Sequence, residues 1–206
     1  MDVRRAIEAG DAELLRALLA ERSERANELV VWGARGEIRT HPLHYVSDAL
    51  FNGVLERGRE GPLMEVLLAA GADANHQAPN GETPLIGAAS LGAEEVGLRL
   101  LEAGARVDAR GGFGETALHW AAHVGLERLS GRLIGMGADV NVRDARYGSP
   151  PIGWALHGWE NAAPGSEGRQ REVVRALVLA GAAVEPEWVR RAEARGDDGV
   201  LRALRG

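Results

Sequence analysis

One phrase recurs along the chain, and its spacing limits what the chain can fold into. It reads G-E-T-P-L-I-G-A-A-S-L-G from Gly81, G-E-T-A-L-H-W-A-A-H-V-G from Gly114 and G-S-P-P-I-G-W-A-L-H-G-W from Gly148. Each phrase leads into an apolar helical run that ends in Gly-Ala, at Gly104-Ala105, Gly137-Ala138 and Gly181-Ala182, and Gly71-Ala72 ends an earlier run. Thr83 to Thr116 is 33 residues (116 − 83), as are Gly71 to Gly104 and Gly104 to Gly137. A fixed period of this size implies a solenoid, because one unit cannot bury its own apolar face and must stack on its neighbours.

The phrase Thr116-Ala117-Leu118-His119-Trp120-Ala121-Ala122 and the ending Gly137-Ala138-Asp139-Val140-Asn141 resemble ankyrin repeats in wording and period. The resemblance runs from residue 40 to residue 185 and weakens at both ends. It implies an all-α fold: an ankyrin-repeat solenoid of stacked helix-turn-helix units joined by short β-hairpin-like loops. It also implies a function, recognition of a protein partner, with no cofactor.

Within each unit the local signals agree with that architecture. Thr83 offers an N-cap hydroxyl, and Pro84 sits at the first helical position, where its missing N–H costs nothing. Gly92 and Gly125 end the first helix, and Val96, Leu100 and Leu101 mark the second at helical spacing. The spacing predicts helix pairs at 41–51/63–70, 83–91/94–102, 116–124/127–135 and 150–158/170–180. The 206 residues then form one domain. Its parts are a capping unit with hairpin at 1–39, repeats at 40–75, 76–109, 110–142 and 143–185, and a cap at 186–206. The first cap keeps Ala6-x-x-x-Gly10-Asp11 and the last keeps Ala192-x-x-x-Gly196-Asp197, both without the Thr-Pro phrase. Terminal units are atypical because one face meets water. Val30, Val31 and Trp32, the turn at Gly33 to Gly36, and Ile38 read as a hairpin joining the first two units.

Two repeats are stretched. His41 to Gly71 is 30 residues and Pro150 to Gly181 is 31, against 21 from Thr83 to Gly104 and from Thr116 to Gly137. The excess falls in inserts at 52–62 and 160–169. Solenoids accept insertions in surface turns, so length alone does not make either a site.

Composition removes whole classes of chemistry. The chain has no Cys and no Lys, so thiol nucleophiles, Cys-ligated zinc and Schiff-base lysines are excluded. All 24 basic residues are Arg, which with abundant Ala, Gly and Val looks like the codon bias of a GC-rich bacterial genome. A net charge of −6 disfavours nucleic acid, which needs a basic surface to displace counterions. No apolar run approaches membrane-spanning length and the first residues lack an apolar signal core, so a cytoplasmic, monomeric protein is expected.

The resemblance places the contact surface on the first helices and the hairpin tips. Carried over position by position, it marks Asp48, Glu82, Ser90, Leu91, Phe113, Glu115, His123, Tyr147 and His157 as protein-binding, with Ala49 beside them. Phe113 and Tyr147 lie at turn tips, where an aromatic side chain either meets a partner or packs on the next hairpin. Glu82, Glu115 and Asp48 favour a partner with basic side chains. A column of Tyr45, Gly87, Trp120 and Trp154 reads as half-buried packing between repeats. His44 and His119 occupy the histidine position of the phrase, where the resemblance implies a bond to the neighbouring loop. The alternative is a small-ligand-binding protein or metal-dependent enzyme using His123, His157, Trp120 and Trp154. His119 and His123 have i, i+4 spacing, but they should point to different sides of their helix, so no metal is expected. Ser90 faintly resembles a nucleophile elbow, yet it falls within a helix rather than after a strand, and no catalytic residue is assigned.

Overall fold

The computed structural model describes residues 2–162 and 168–206. The contacts divide the chain into two compact units, Met1–Arg106 and Val107–Gly206, the division falling inside the repeat at 76–109.

Unit 1 starts with α1 (Val3–Glu8) and α2 (Ala12–Glu21), each capped by an Asp whose carboxylate accepts a backbone N–H, Asp2 from Arg5 and Asp11 from Leu14. A two-stranded antiparallel hairpin follows, β1 (Val30–Trp32) with β2 (Ile38–Thr40), pairing Val31 with Arg39. Two helix pairs complete the unit: α3 (Pro42–Phe51) with α4 (Glu60–Ala69), and α5 (Pro84–Ser90) with α6 (Glu94–Glu102). Because α4 begins at Glu60, the extra residues of this repeat span only 52–59 rather than 52–62.

Unit 2 contains α7 (Ala117–Val124) with α8 (Glu127–Gly135), α9 (Pro151–Glu160) with α10 (Gly168–Leu179), and a closing pair α11 (Pro186–Arg195) and α12 (Asp198–Arg205). Helix α9 continues two residues past the predicted end, and residues 163–167 of the insert at 160–169 lie outside the described residues. Among the described residues no helix is long and apolar enough to cross a membrane.

The repeated phrase explains the packing. Its Leu or Ile, at Leu43, Leu85, Leu118 and Ile152, is buried in every copy. Each such side chain contributes about 1.5–3 kcal/mol of transfer free energy. The N-cap varies with sequence: the Thr83 hydroxyl accepts from Ile86 N–H at 3.3 Å, His41 substitutes its Nδ1 and accepts from Leu43 at 3.3 Å, and Pro150 supplies no side-chain cap. Gly125 ends α7 at φ 80°, a left-handed conformation that side chains rarely adopt.

The Asp and Asn of the Gly-Ala-Asp-x-Asn ending have different tasks. Asp73 and Asp139 close local turns, each accepting a backbone N–H two residues on, at 2.9 Å. Asn75 and Asn141 reach further. Asn75 donates to Gly104 O and accepts from Arg106 N–H at 2.8 Å, and Asn141 does the same with Gly181 O and Ala183 N–H. Asn27 bridges Gly71 and Asp73 in the first unit by the same pair of bonds. The amide of Asn provides both a donor and an acceptor, which a carboxylate cannot.

Candidate functional site

In unit 2 the aromatic and imidazole side chains of α7, α9 and the hairpin before α9 form one series of ring contacts. Tyr147 meets Trp154 at 6.4 Å between ring centres, Trp154 meets Trp120 edge-on at 4.9 Å, and both indoles meet His123 at 6.1 Å. His123 stacks on His157 at 5.4 Å. An open groove of about 460 Å³ runs along these residues and continues over Gly153 to Trp188 and Arg191. Gly153 is part of its lining, and a Cβ there would strike the Ser149 hydroxyl.

The scaffold beneath is tightly fixed. Gly158 lets α9 approach α7 so closely that a Cβ would collide with the His123 carbonyl oxygen, a backbone atom with no room to give. His119 is fully buried and bridges two elements. Its Nδ1 accepts from Thr116 N–H at 3.0 Å, so its Nε2 carries the proton and donates to Ser149 O at 3.1 Å. Burial favours this neutral ring and lowers its pKa against the pull of the Ser149 carbonyl. The tie between neighbouring loops that the resemblance implies for this histidine is therefore present. His44 departs from it: its Nε2 is buried without a hydrogen bond, beside the backbone of His76, and burial followed by His41 and His76 drives its pKa down to about 4.

Asp144 organises the hairpin tip. Its carboxylate accepts from the N–H groups of Arg146 (2.8 Å), Tyr147 (2.6 Å) and Ser149 (3.0 Å) and from the Trp154 indole (3.1 Å). Burial pushes its pKa up, but these four donors outweigh burial and hold it below the ordinary value. Tyr147 and Phe113 are left 68% and 53% exposed, with the Arg146 guanidinium 5.3 Å and 4.8 Å from their ring centres.

Of the marked residues, Phe113, Tyr147, His123 and His157 share this surface. Glu115 does not. It is only 6% exposed, because its carboxylate turns back to accept from Phe113 N–H at 2.9 Å and closes the turn. His123 also differs from the ordinary imidazole expected of a solvated residue: burial lowers its pKa, and only then do the Trp154 carbonyl, which raises it, and His157, which lowers it, contribute. Its Nδ1 donates to that carbonyl at 3.4 Å, leaving Nε2 as an acceptor in the neutral ring.

Unit 1 carries the remaining marked residues, and they form a different surface. Asp48 and Glu82 lie close enough to interact, and burial first, then Glu82, pushes the Asp48 pKa up to about 6. The space above Gly87 is bordered by His44 Nδ1 and Glu82 Oε1, each a little over 3 Å from where a Cβ would stand. Ser90 commits its hydroxyl to Gly87 O at 3.0 Å, Leu91 is half-buried at the helix end, and Ala49, counted among the exposed positions by register, is buried. Tyr45 is buried too, donating its hydroxyl to Glu8.

No carboxylate among the described residues pairs with His123 or His157; the Trp154 carbonyl orients the His123 ring, and His157 stacks on it. No group of three His, Cys, Asp or Glu among the described residues is placed to hold a metal ion. Sequence reasoning passed over Asp144 and Arg146; the signal available was the Asp-x-Arg-Tyr spacing at a turn, where an Asp commonly captures the following N–H groups.

The model of ankyrin repeats matches residues 50–144 in three copies. No curated protein matches the chain.

Proposed function

Since the chain carries ankyrin repeats over residues 50–144, repeats that generally serve as protein-interaction modules, we propose that it is a non-enzymatic, monomeric binding module. Its principal contact is the unit 2 face. Phe113 and Tyr147 act as exposed anchors at the hairpin tips, and His123 and His157 extend the contact along the helices. The observation that carries this reading is the unbroken series of ring contacts from Tyr147 to His157 along an open groove. Aromatic anchors with Arg at the margin are the usual composition of a binding hot spot. Rings held by helix packing and by Asp144 lose little entropy on binding. In unit 1, Asp48 and Glu82, with Ser90 and Leu91 beside them, suit a basic side chain of a partner, whose charge would relieve the repulsion between the two carboxylates.

Site-specific photo-crosslinking tests the assignment. A benzoylphenylalanine at position 147 is expected to trap a single partner protein in cells. The same group at the exposed position 54 of the insert is expected to trap none. Trapping from position 54 alone would move the contact to the insert and defeat the reading.

A further inference from the structure

Three carboxylates around the unit 2 face are committed internally. Glu115 accepts from Phe113 N–H, Asp144 accepts from three backbone N–H groups and the Trp154 indole, and Glu160 pairs with Arg191. Arg146 stands apart from this pattern. It has no carboxylate partner among the described residues, and its guanidinium lies over Phe113 and Tyr147. Stacking on ring faces leaves the planar N–H edge of a guanidinium open, in the geometry that accepts a carboxylate through two parallel bonds. Of the other cations nearby, Arg143 pairs with Glu185 at 3.2 Å, Arg191 pairs with Glu160, and Arg110 commits its Nη1 to the Gly114 and Arg143 carbonyl oxygens. A single guanidinium edge matches one planar carboxylate better than a phosphate, which draws on several cations. Tyr147, under the Arg146 guanidinium, also lines the groove, which offers an apolar slot along Trp154 and Trp120.

We infer that the unit 2 face takes an acidic segment of a partner protein, one carboxylate seated on Arg146 and an adjacent apolar or aromatic side chain in the groove between Tyr147 and Trp120. This rests on the reading that this face is the protein contact, and adds to it the charge and side-chain class of what binds. It reverses, for this unit, the preference for a basic partner that the acidic residues suggested in the sequence, because Glu115 is turned away from the surface.

Panning a random-peptide display library against the full chain tests both levels. The expected consensus contains Asp or Glu next to an aromatic or large apolar residue. A synthetic peptide of that consensus should bind the full chain and lose about ten-fold in affinity with Arg146→Gln, the loss of one charge-assisted pair. Arg146 is exposed and its side chain makes no hydrogen bond among the described residues, so the variant should fold, checked by its melting temperature. Panning the charge-reversed Arg146→Glu should shift the consensus toward Arg and Lys. A basic or uncharged consensus on the parent chain, still lost with Tyr147→Ala and His157→Ala, overturns the acidic inference and leaves the contact face standing. A consensus indifferent to all these substitutions overturns both.

Discussion

Asp48 in unit 1 and His123 in unit 2 occupy the same register of the repeat, four residues after His44 and His119 respectively. One is an acid and the other a base, yet burial moves each toward its neutral form: Asp48 up to about 6 and His123 below its ordinary value. The position itself is desolvated, whichever side chain the sequence puts there. What differs is the company. Asp48 interacts with a second carboxylate, Glu82, whereas His123 is packed between two indoles and another imidazole. The same backbone thus presents a carboxylate pair in one unit and, in the other, an aromatic groove beside a guanidinium that lies over two exposed rings. Repeat architecture fixes where a side chain stands and how dry it is; the residues on adjacent repeats decide what it can bind.

The largest expected effect tests how rigidly each scaffold holds its face. Gly158→Ala drives a methyl group into the His123 carbonyl, and only a shift of α9 against α7 relieves it. A destabilisation of about 3 kcal/mol or more is expected, at the upper end for overpacking. Gly87→Ala meets only the ends of the His44 and Glu82 side chains, a little over 3 Å away. It should cost less than about 1 kcal/mol, partly offset by the helical preference for Ala. Chemical denaturation of the two variants measures the contrast, and equal losses would show that unit 1 is packed as tightly as unit 2.

Acid should separate the units next. Burial holds His41 and His44 neutral, with pKa values of about 4. A depressed base stabilises the fold fully above its unfolded value near 6.5 and loses that contribution as the pH falls toward 4. Each ring accounts for about 2–3 kcal/mol over that window, while Asp48, protonating near 6, returns part of it. Hydrogen exchange at pH 7 and pH 4.5 should therefore show unit 1 losing protection, with His44→Gln flattening the dependence. Unchanged protection in unit 1 at pH 4.5 would mean that these rings are better solvated than their burial indicates.

A smaller effect of opposite sign follows from Asp48 alone. An acid whose pKa is raised in the folded state opposes folding above that value. The fold recovers this stability as the pH drops from about 6 through the unfolded value near 4. Asp48→Asn should stabilise the chain on the order of 1–3 kcal/mol at pH 7, with the gain vanishing near pH 4. Thermal melts across that range follow it directly. A pH-independent gain would assign the effect to helix propensity rather than to burial of the Asp48 carboxylate beside Glu82.

The helices and the hairpin were legible because their signals are local and periodic. Thr or Pro starts, Gly ends and the 33-residue period of the regular repeats need no knowledge of the rest of the chain. The candidate face was legible only by register. Register placed Phe113, Tyr147, His123 and His157 on one unit, but it placed Glu115 there as well. Glu115 turns inward because its carboxylate finds the Phe113 N–H, and Asp144 gathers four donors for the same reason. Capture of a backbone donor depends on how a turn closes, which alternation and spacing do not encode. Arg146 was missed on the same account, since its significance lies in two rings it reaches only after Asp144 has shaped the tip.

The smallest expected change in stability carries the largest expected change in binding. Phe113 and Tyr147 are more than half exposed. Their removal forfeits little buried area and an exposed cation–π contact with Arg146 worth about 0.5–1 kcal/mol. Phe113→Ala with Tyr147→Ala should lower the melting temperature by no more than about 2–4 °C. Loss of two anchors should weaken partner binding by roughly 100-fold or more, as for hot-spot residues at 2 kcal/mol or above. Calorimetry and a binding titration on one preparation separate the possibilities. If the double variant unfolds, the two rings were packing their own hairpins, and the difference between the faces is one of stability. If it folds and binds undiminished, the contact lies elsewhere, and the exposed Phe51 and Val54 of unit 1, at and beside its insert, become the leading surface.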